Sequence, residues 1–296
     1  MSAPPAETPA GTDGAAAAGL LADEPRGPRL PWPPDRRPLS VVAFGNSVTT
    51  LQLPLRQDRA DGTYLEVLAD QLTAAGVPTA PHLEGRWFDF IHRGMREYQQ
   101  RVRNHLPDVV VIQYGLNESQ PWLVPVWLIR HLLVQHQAVT RSAKGYRKYV
   151  AQPLWKQVRT FRRAASPVVG TKTWQMTPRR FGGQLRRCIN NVRLEARPLV
   201  LVLDINEPGD LLEHFLPGMH ERHRIYQETI RQAVASFDSP EVRLVEVSRI
   251  CRELGPGALP DGMHFSAAAH RAVGEALATE VLAYLRARSG KPGAVS

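Results

Sequence analysis

Five short apolar runs, separated by stretches of helical periodicity, constrain this chain more than any other feature. LSVVAF at 39–44 (closed by Gly45), DVVVIQY at 108–114, LVLVLDI at 199–205 and VRLVEV at 242–247 have the length and the Val/Ile/Leu content of buried strands, and VPTAPHL at 77–83 is a weaker member of the set. Amphipathic helical patterns cover 63–76, 95–106, 221–238 and the terminal stretch 266–287. A strand that is apolar along its whole length is buried on both faces, as in a parallel sheet with helices packed above and below. The expected fold class is therefore α/β, a doubly wound, mostly parallel five-stranded sheet in three layers. In such sheets ligands bind outside the carboxyl ends of the strands, so the residues that follow each run are where chemistry is expected.

The rest of the chain is organised around this alternation. Residues 1–38 hold nine of the 25 prolines and an alanine run, with no strand or helix period, and are expected to form a disordered leader. The domain is expected to span 39–290, followed by a tail at 291–296. Residues 119–198 interrupt the alternation with a stretch far longer than a usual connection, read as an inserted helical subdomain. That segment carries 16 Lys and Arg against one acid, Glu195, a charge of +15, whereas the remainder of the chain is −6. The overall +9 thus belongs to one region and points to an anionic partner for it. Two cysteines, Cys188 and Cys251, are too few for a disulfide framework and lack metal-ligand spacing. No apolar run reaches the ~18–20 residues needed to cross a bilayer. The expected location is cytoplasmic, with peripheral attachment to the inner membrane face as one way of using the basic segment.

Three loops carry reactive side chains, two of them directly after an apolar run and the third before the terminal helix. Gly45-Asn46-Ser47 follows the first run and puts a serine at a strand-to-helix turn, where serine is also a favoured helix cap. Gly115-Leu116-Asn117-Glu118 follows the third. The last loop contains Asp261-Gly262-Met263-His264, and a carboxylate three residues before an imidazole can hold its Nδ1–H and leave Nε2 free to take a proton.

The Ser, Asn and Asp-x-x-His set, one member after each of three elements, resembles the SGNH hydrolases, the GDSL-type esterases and lipases. The resemblance covers roughly 39–288 outside the insertion. It implies that Ser47 is the nucleophile, His264 the general base, Asp261 the partner of that histidine, and Asn117 an oxyanion-hole amide acting with the Ser47 N–H. The family's second block also contributes a backbone N–H, which falls on Gly85 or, as the competitor, Gly94. Asn46 and Glu118 stand where the family usually has Asp. Trp87, Glu118 and Trp122 are candidates for the pocket wall. No metal or other cofactor is required by this chemistry. The α/β-hydrolase elbow G-x-S-x-G is excluded because Thr49 occupies its second glycine, and His220 and His223 are three apart rather than the four of a zincin helix.

The implied activity is hydrolysis, or transfer, of an acyl or acetyl group of an ester, with a glycan or a lipid as substrate. The alternative is a binding protein on a degenerate hydrolase fold, whose basic insertion docks to an anionic membrane, a glycan or a nucleic acid. No nucleic-acid-binding motif is recognisable in the sequence.

Overall fold

A computed structural model describes residues 30, 32–50, 62–134 and 145–289. Its centre is a five-stranded sheet in the order β2-β1-β3-β4-β5, formed by β1 (Leu39–Gly45), β2 (Thr79–Gly85), β3 (Val109–Gln113), β4 (Leu199–Leu203) and β5 (Val242–Val245). Every pairing is parallel. β1, β3 and β4 are buried at every residue, which is why their sequences are unbroken apolar runs. β2 is an edge strand with no fully buried position, and it starts two residues later than its weak pattern suggested. Pro81 is tolerated there because the outward side of an edge strand needs no ladder donor. At the other edge, Val247 leaves the apolar run and opens a helix.

Helices cover both faces. In chain order they are α1 (Ser47–Thr50), α2 (Tyr64–Ala74), α3 (Ile91–Arg96), α4 (Tyr98–Arg101), α5 (Val126–Val134), α6 (Gln152–Val169), α7 (Pro178–Ala196), α8 (Asp210–Phe215), α9 (Met219–Ala235), α10 (Val247–Leu254) and α11 (Ala267–Ser289). α2 packs on α11, and α7 packs on α9. Gly274 of α11 is what lets α2 come so close, since a Cβ there would lie 2.6 Å from Cβ of Val67. All four helices put side chains into one core, including Tyr64, Leu68, Phe181, Ile189, Tyr226 and Val273.

The connection from β3 to β4 has two parts. α7 contributes Phe181, Leu185, Cys188, Ile189 and Val192 to the main core and so acts as the crossover helix of the β3–β4 unit. The piece before it, with α5, a short π-helical turn at Arg147–Ala151 and α6, has a small core of its own: Val124, Ile129, Leu132, Ala151 and Val158. Residues 135–144 and most of the leader lie outside the described residues. The end of the leader does not, and it is tied down: the Leu30 N–H donates to the Ala75 carbonyl at 3.0 Å, Arg36 lies 4.3 Å over the Trp32 ring, and Arg37 pairs with Asp108 at 2.9 Å. Both cysteines are buried and unpaired. No helix among the described residues is long and apolar enough to cross a membrane.

Candidate active site

β1 ends at Gly45, and the chain turns at once into α1. A Cβ on Gly45 would sit 2.6 Å from the Gln113 carbonyl, so the turn closes this tightly only with glycine. Asn46 stabilises the turn by accepting the Val48 N–H on Oδ1 at 3.0 Å, a role in which an amide oxygen replaces a carboxylate without loss. Ser47 follows as the first residue of α1, almost buried at 6% exposure, so its hydroxyl is shielded from bulk water.

The last loop reaches the same point from the far side of the sheet. Gly262 adopts φ +81° and packs against Gly209, where a Cβ would lie 2.7 Å from Cα of Gly262, so two glycines allow the two loops to touch. The turn brings the Asp261 carboxylate back onto its own backbone: Oδ1 accepts the N–H groups of Met263 at 2.9 Å and His264 at 2.7 Å. Oδ2 accepts Nδ1–H of His264 at 2.7 Å, which leaves Nε2 facing the Ser47 hydroxyl at 2.9 Å. Burial acts to raise the Asp261 pKa, but these donors outweigh it and hold the carboxyl below its usual range. Ser47, His264 and Asp261, separated by more than 200 residues at the widest, thus form one hydrogen-bonded chain.

Asn117 lies in the loop after β3, buried, with Nδ2 donating to the Asp89 carbonyl at 2.9 Å. An amide nitrogen has two hydrogens, so one remains beyond this bond. The neighbouring Glu118 is completely buried and does not line a pocket wall. Its Oε1 accepts the Ile91 N–H at 2.6 Å and its Oε2 the Gly115 N–H at 2.9 Å. Burial without a cationic partner pushes its pKa up to about 7. Asn117 and Glu118 therefore grip the 89–91 segment together. The same loop is braced from outside, where Arg222 donates to the Ser119 carbonyl at 3.1 Å and Arg162 to Oε1 of Gln120 at 2.9 Å.

The two glycines expected in the second block do not sit at a donor position. Arg86 donates its N–H inward to the Gly45 carbonyl at 3.1 Å. Donors alternate sides along a strand, so Gly85 points its N–H to the outer edge, on the same side as the donorless Pro81. Its missing side chain instead makes room for α1, since a Cβ would lie 2.5 Å from Thr50. Gly94 lies under Tyr114, where a Cβ would clash with the phenol oxygen, and is required for packing. The residue in unusual conformation is Phe88, at φ +47°, a region costing a non-glycine residue roughly 1–2 kcal/mol. Its N–H has no acceptor among the described residues, and it directly precedes the carbonyl that holds Asn117.

Asp89 anchors this segment from below. Its carboxylate accepts from Arg101 at 2.7 Å and from the Tyr114 hydroxyl at 3.1 Å, and Arg101 also donates to the carbonyls of Glu84 and Gly45. Both Asp89 and Arg101 are 1% exposed, so removing either would strand a buried charge at a cost of about 3–5 kcal/mol. Neither Phe88 nor this pair is visible as a motif. Of the other pocket candidates, Trp87 and Trp122 are both exposed on the surface.

His220 and His223 face opposite ways: His220 is exposed, while His223 is buried, donates Nδ1–H to the Asn206 carbonyl at 2.8 Å and is pushed down to about 4 by burial. No cluster of three His, Cys, Asp or Glu side chains able to hold a metal ion occurs among the described residues.

No protein-family model and no curated protein matches the sequence. Solved structures do match the fold. A lipase/acylhydrolase from Enterococcus faecalis superposes with a TM-score of 0.55 at 15% identity, covering 83% of this chain and 96% of its own. A carbohydrate acetylesterase from Sinorhizobium meliloti gives 0.54 at 15%, covering 83% and 99%, and an acetylxylan esterase from Geobacillus stearothermophilus gives 0.50 at 15%, covering 82% and 94%. The chain therefore has the three-layer parallel fold of these hydrolases, the fold that the resemblance to the SGNH group implied.

Proposed function

We propose that the protein is a serine ester hydrolase of the SGNH type, acting on an acyl or acetyl ester. The observation that carries this reading is the hydrogen-bonded chain Ser47–His264–Asp261, at 2.9 and 2.7 Å, at the carboxyl edge of the sheet. Ser47 Oγ attacks the ester carbonyl while Nε2 of His264 takes its proton, and the imidazolium so formed is stabilised by the ionised Asp261. The tetrahedral intermediate collapses as His264 returns the proton to the leaving alcohol. Water, deprotonated by the same nitrogen, then releases the acid and restores the serine.

The oxyanion is held by the Ser47 N–H, by the free hydrogen of the Asn117 amide and by a backbone N–H of the 85–89 loop, which we assign to Phe88 rather than to Gly85 or Gly94. Such donors are typically worth about 2.7–4 kcal/mol each in the transition state. The similar structures act on lipids and on acetylated carbohydrates, and both substrate classes stay within this reading. Labelling with a fluorophosphonate, read by peptide mass spectrometry, tests it. The expected adduct is on Ser47 and disappears in Ser47→Ala, and turnover of p-nitrophenyl acetate disappears with it. A chain that neither labels nor turns over the ester, yet remains folded, would be a binding protein on a hydrolase fold.

A further inference from the structure

Among the described residues thirteen large apolar side chains are exposed, and seven of them fall between residues 122 and 168, on the piece of chain that carries α5 and α6. Trp122 and Trp127 are 59% and 69% exposed, Tyr149 72%, Phe161 53% and Val168 78%. Phe161 and Val168 share one face of α6. On α6, Pro153, Gln157, Phe161, Ala164 and Val168 recur every three or four residues and form one outward stripe, while Lys156, Arg159 and Arg163 form the stripe beside it. Pro153, Lys156, Gln157, Thr160 and Phe161 line a shallow trough there. α5 extends the same surface, because exposed His131, one turn after Trp127, bonds the Tyr146 hydroxyl at 2.9 Å just ahead of α6.

We infer that this face is a docking surface for a bilayer containing acidic lipid. An amphipathic helix with aromatic and aliphatic side chains on one flank and cations on the next lies in the interface plane, its apolar flank among the acyl chains and its cations at the phosphates. Trp and Tyr are the side chains that settle at the headgroup level. Lys148, Lys156 and Arg163 have no carboxylate partner among the described residues, and Glu195 is the one acid between 119 and 198. A second copy laid on this face would set cation against cation, and a nucleic acid would leave the aliphatic part of the stripe, Pro153, Ala164 and Val168, without a partner. Arg162 belongs to the opposite face of α6, buried and bonded to Gln120, so it serves the loop below and not the membrane.

The inference does not depend on the esterase reading, and its test is separate. The full chain is sedimented with phosphatidylcholine vesicles with and without phosphatidylglycerol, at low and high salt. The expected result is binding to the acidic vesicles alone, weakened by salt. Neutralising Lys148, Lys156 and Arg163 to Gln should weaken it about 100-fold, from about 1 kcal/mol per cation. Trp127→Ser with Phe161→Ser should weaken it as well, while circular dichroism and fluorophosphonate labelling remain those of the parent. Equal binding to neutral vesicles, or binding indifferent to both sets of substitutions, would overturn the inference. So would absence of vesicle binding, and a dimer that dissociates in the Trp127→Ser, Phe161→Ser variant would show that a second copy covers the face instead.

Discussion

In the sheet domain, Val41, Val110, Leu201 and their neighbours are enclosed on both faces in one continuous core, and the helical piece between β3 and α7 has a cluster of five buried apolar side chains while Trp122, Trp127, Tyr149 and Phe161 stay outside. The two regions also divide the chemistry. Ser47, Asn117, Asp261 and His264 all stand on turns and loops of the first, next to its core, and most of the exposed aromatics belong to the second. The difference teaches that the hydrogen-bonded Ser47–His264–Asp261 chain rests on the large core, whereas the exposed apolar side chains are concentrated where the buried core is smallest.

The sharpest way to break that division is Ser47→Ala. Esterase turnover should fall by about 10⁴-fold or more, with the thermal midpoint and vesicle binding unchanged. A loss of vesicle binding in this variant would mean that the two regions are not separate. Asn117→Ala should lower kcat by about 10²–10³-fold with little change in KM, checked by initial rates on a small ester, and fluorophosphonate labelling should be slowed but stay on Ser47.

A matched pair of truncations compares the two cores directly. Leu201→Ala, in the centre of β4, should destabilise the whole domain by about 2–5 kcal/mol in denaturant titration. Leu132→Ala removes the same atoms from an equally buried site in the small cluster, and should move the global midpoint less while opening residues 122–169 to protease. Equal global shifts would show one cooperative unit.

The smallest expected effect is a pH slope. Glu118, raised from 4.5 to about 7, and Asp204, raised from 3.8 to about 6 by burial, bind protons in the folded chain that the unfolded chain has already released. Stability should therefore fall as pH rises between those limits, by at most about 1.4 kcal/mol per pH unit for each group. Asp261, held low, acts the other way: its contribution is complete above its unfolded value and is lost as pH falls through the folded one. Glu118→Gln should flatten the upper part of the slope in urea titrations at a series of pH values.

The contrast also explains what could be read from residues alone. Strands buried on both faces declare themselves, so β1, β3 and β4 were legible, and β2 was blurred because an edge strand need not be apolar. The Ser47, His264 and Asp261 set could be picked out because its members are reactive side chains in a short pattern, and the structure brings them into one hydrogen-bonded chain. A backbone donor leaves no such pattern, because an N–H belongs to every residue but proline, and the left-handed position in the 85–89 loop is filled by Phe88 rather than glycine. Glu118 and Arg162 look like surface or pocket residues by type. Their burial depends on partners at Ile91 and Gln120, 27 and 42 positions away in the chain, which no local pattern reveals.

Phe88 joins the two regions. Its backbone sits next to the carbonyl that orients Asn117, while its ring packs against the small cluster of α5 and α6 and meets Phe90 edge-on at 5.8 Å between centroids. Opening of that cluster would take away the packing of the Phe88 ring and let the left-handed backbone at 88 relax while the sheet stays folded. Heating should then inactivate the protein below the temperature at which the domain melts, and the gap between the two temperatures would measure how tightly α5 and α6 are closed.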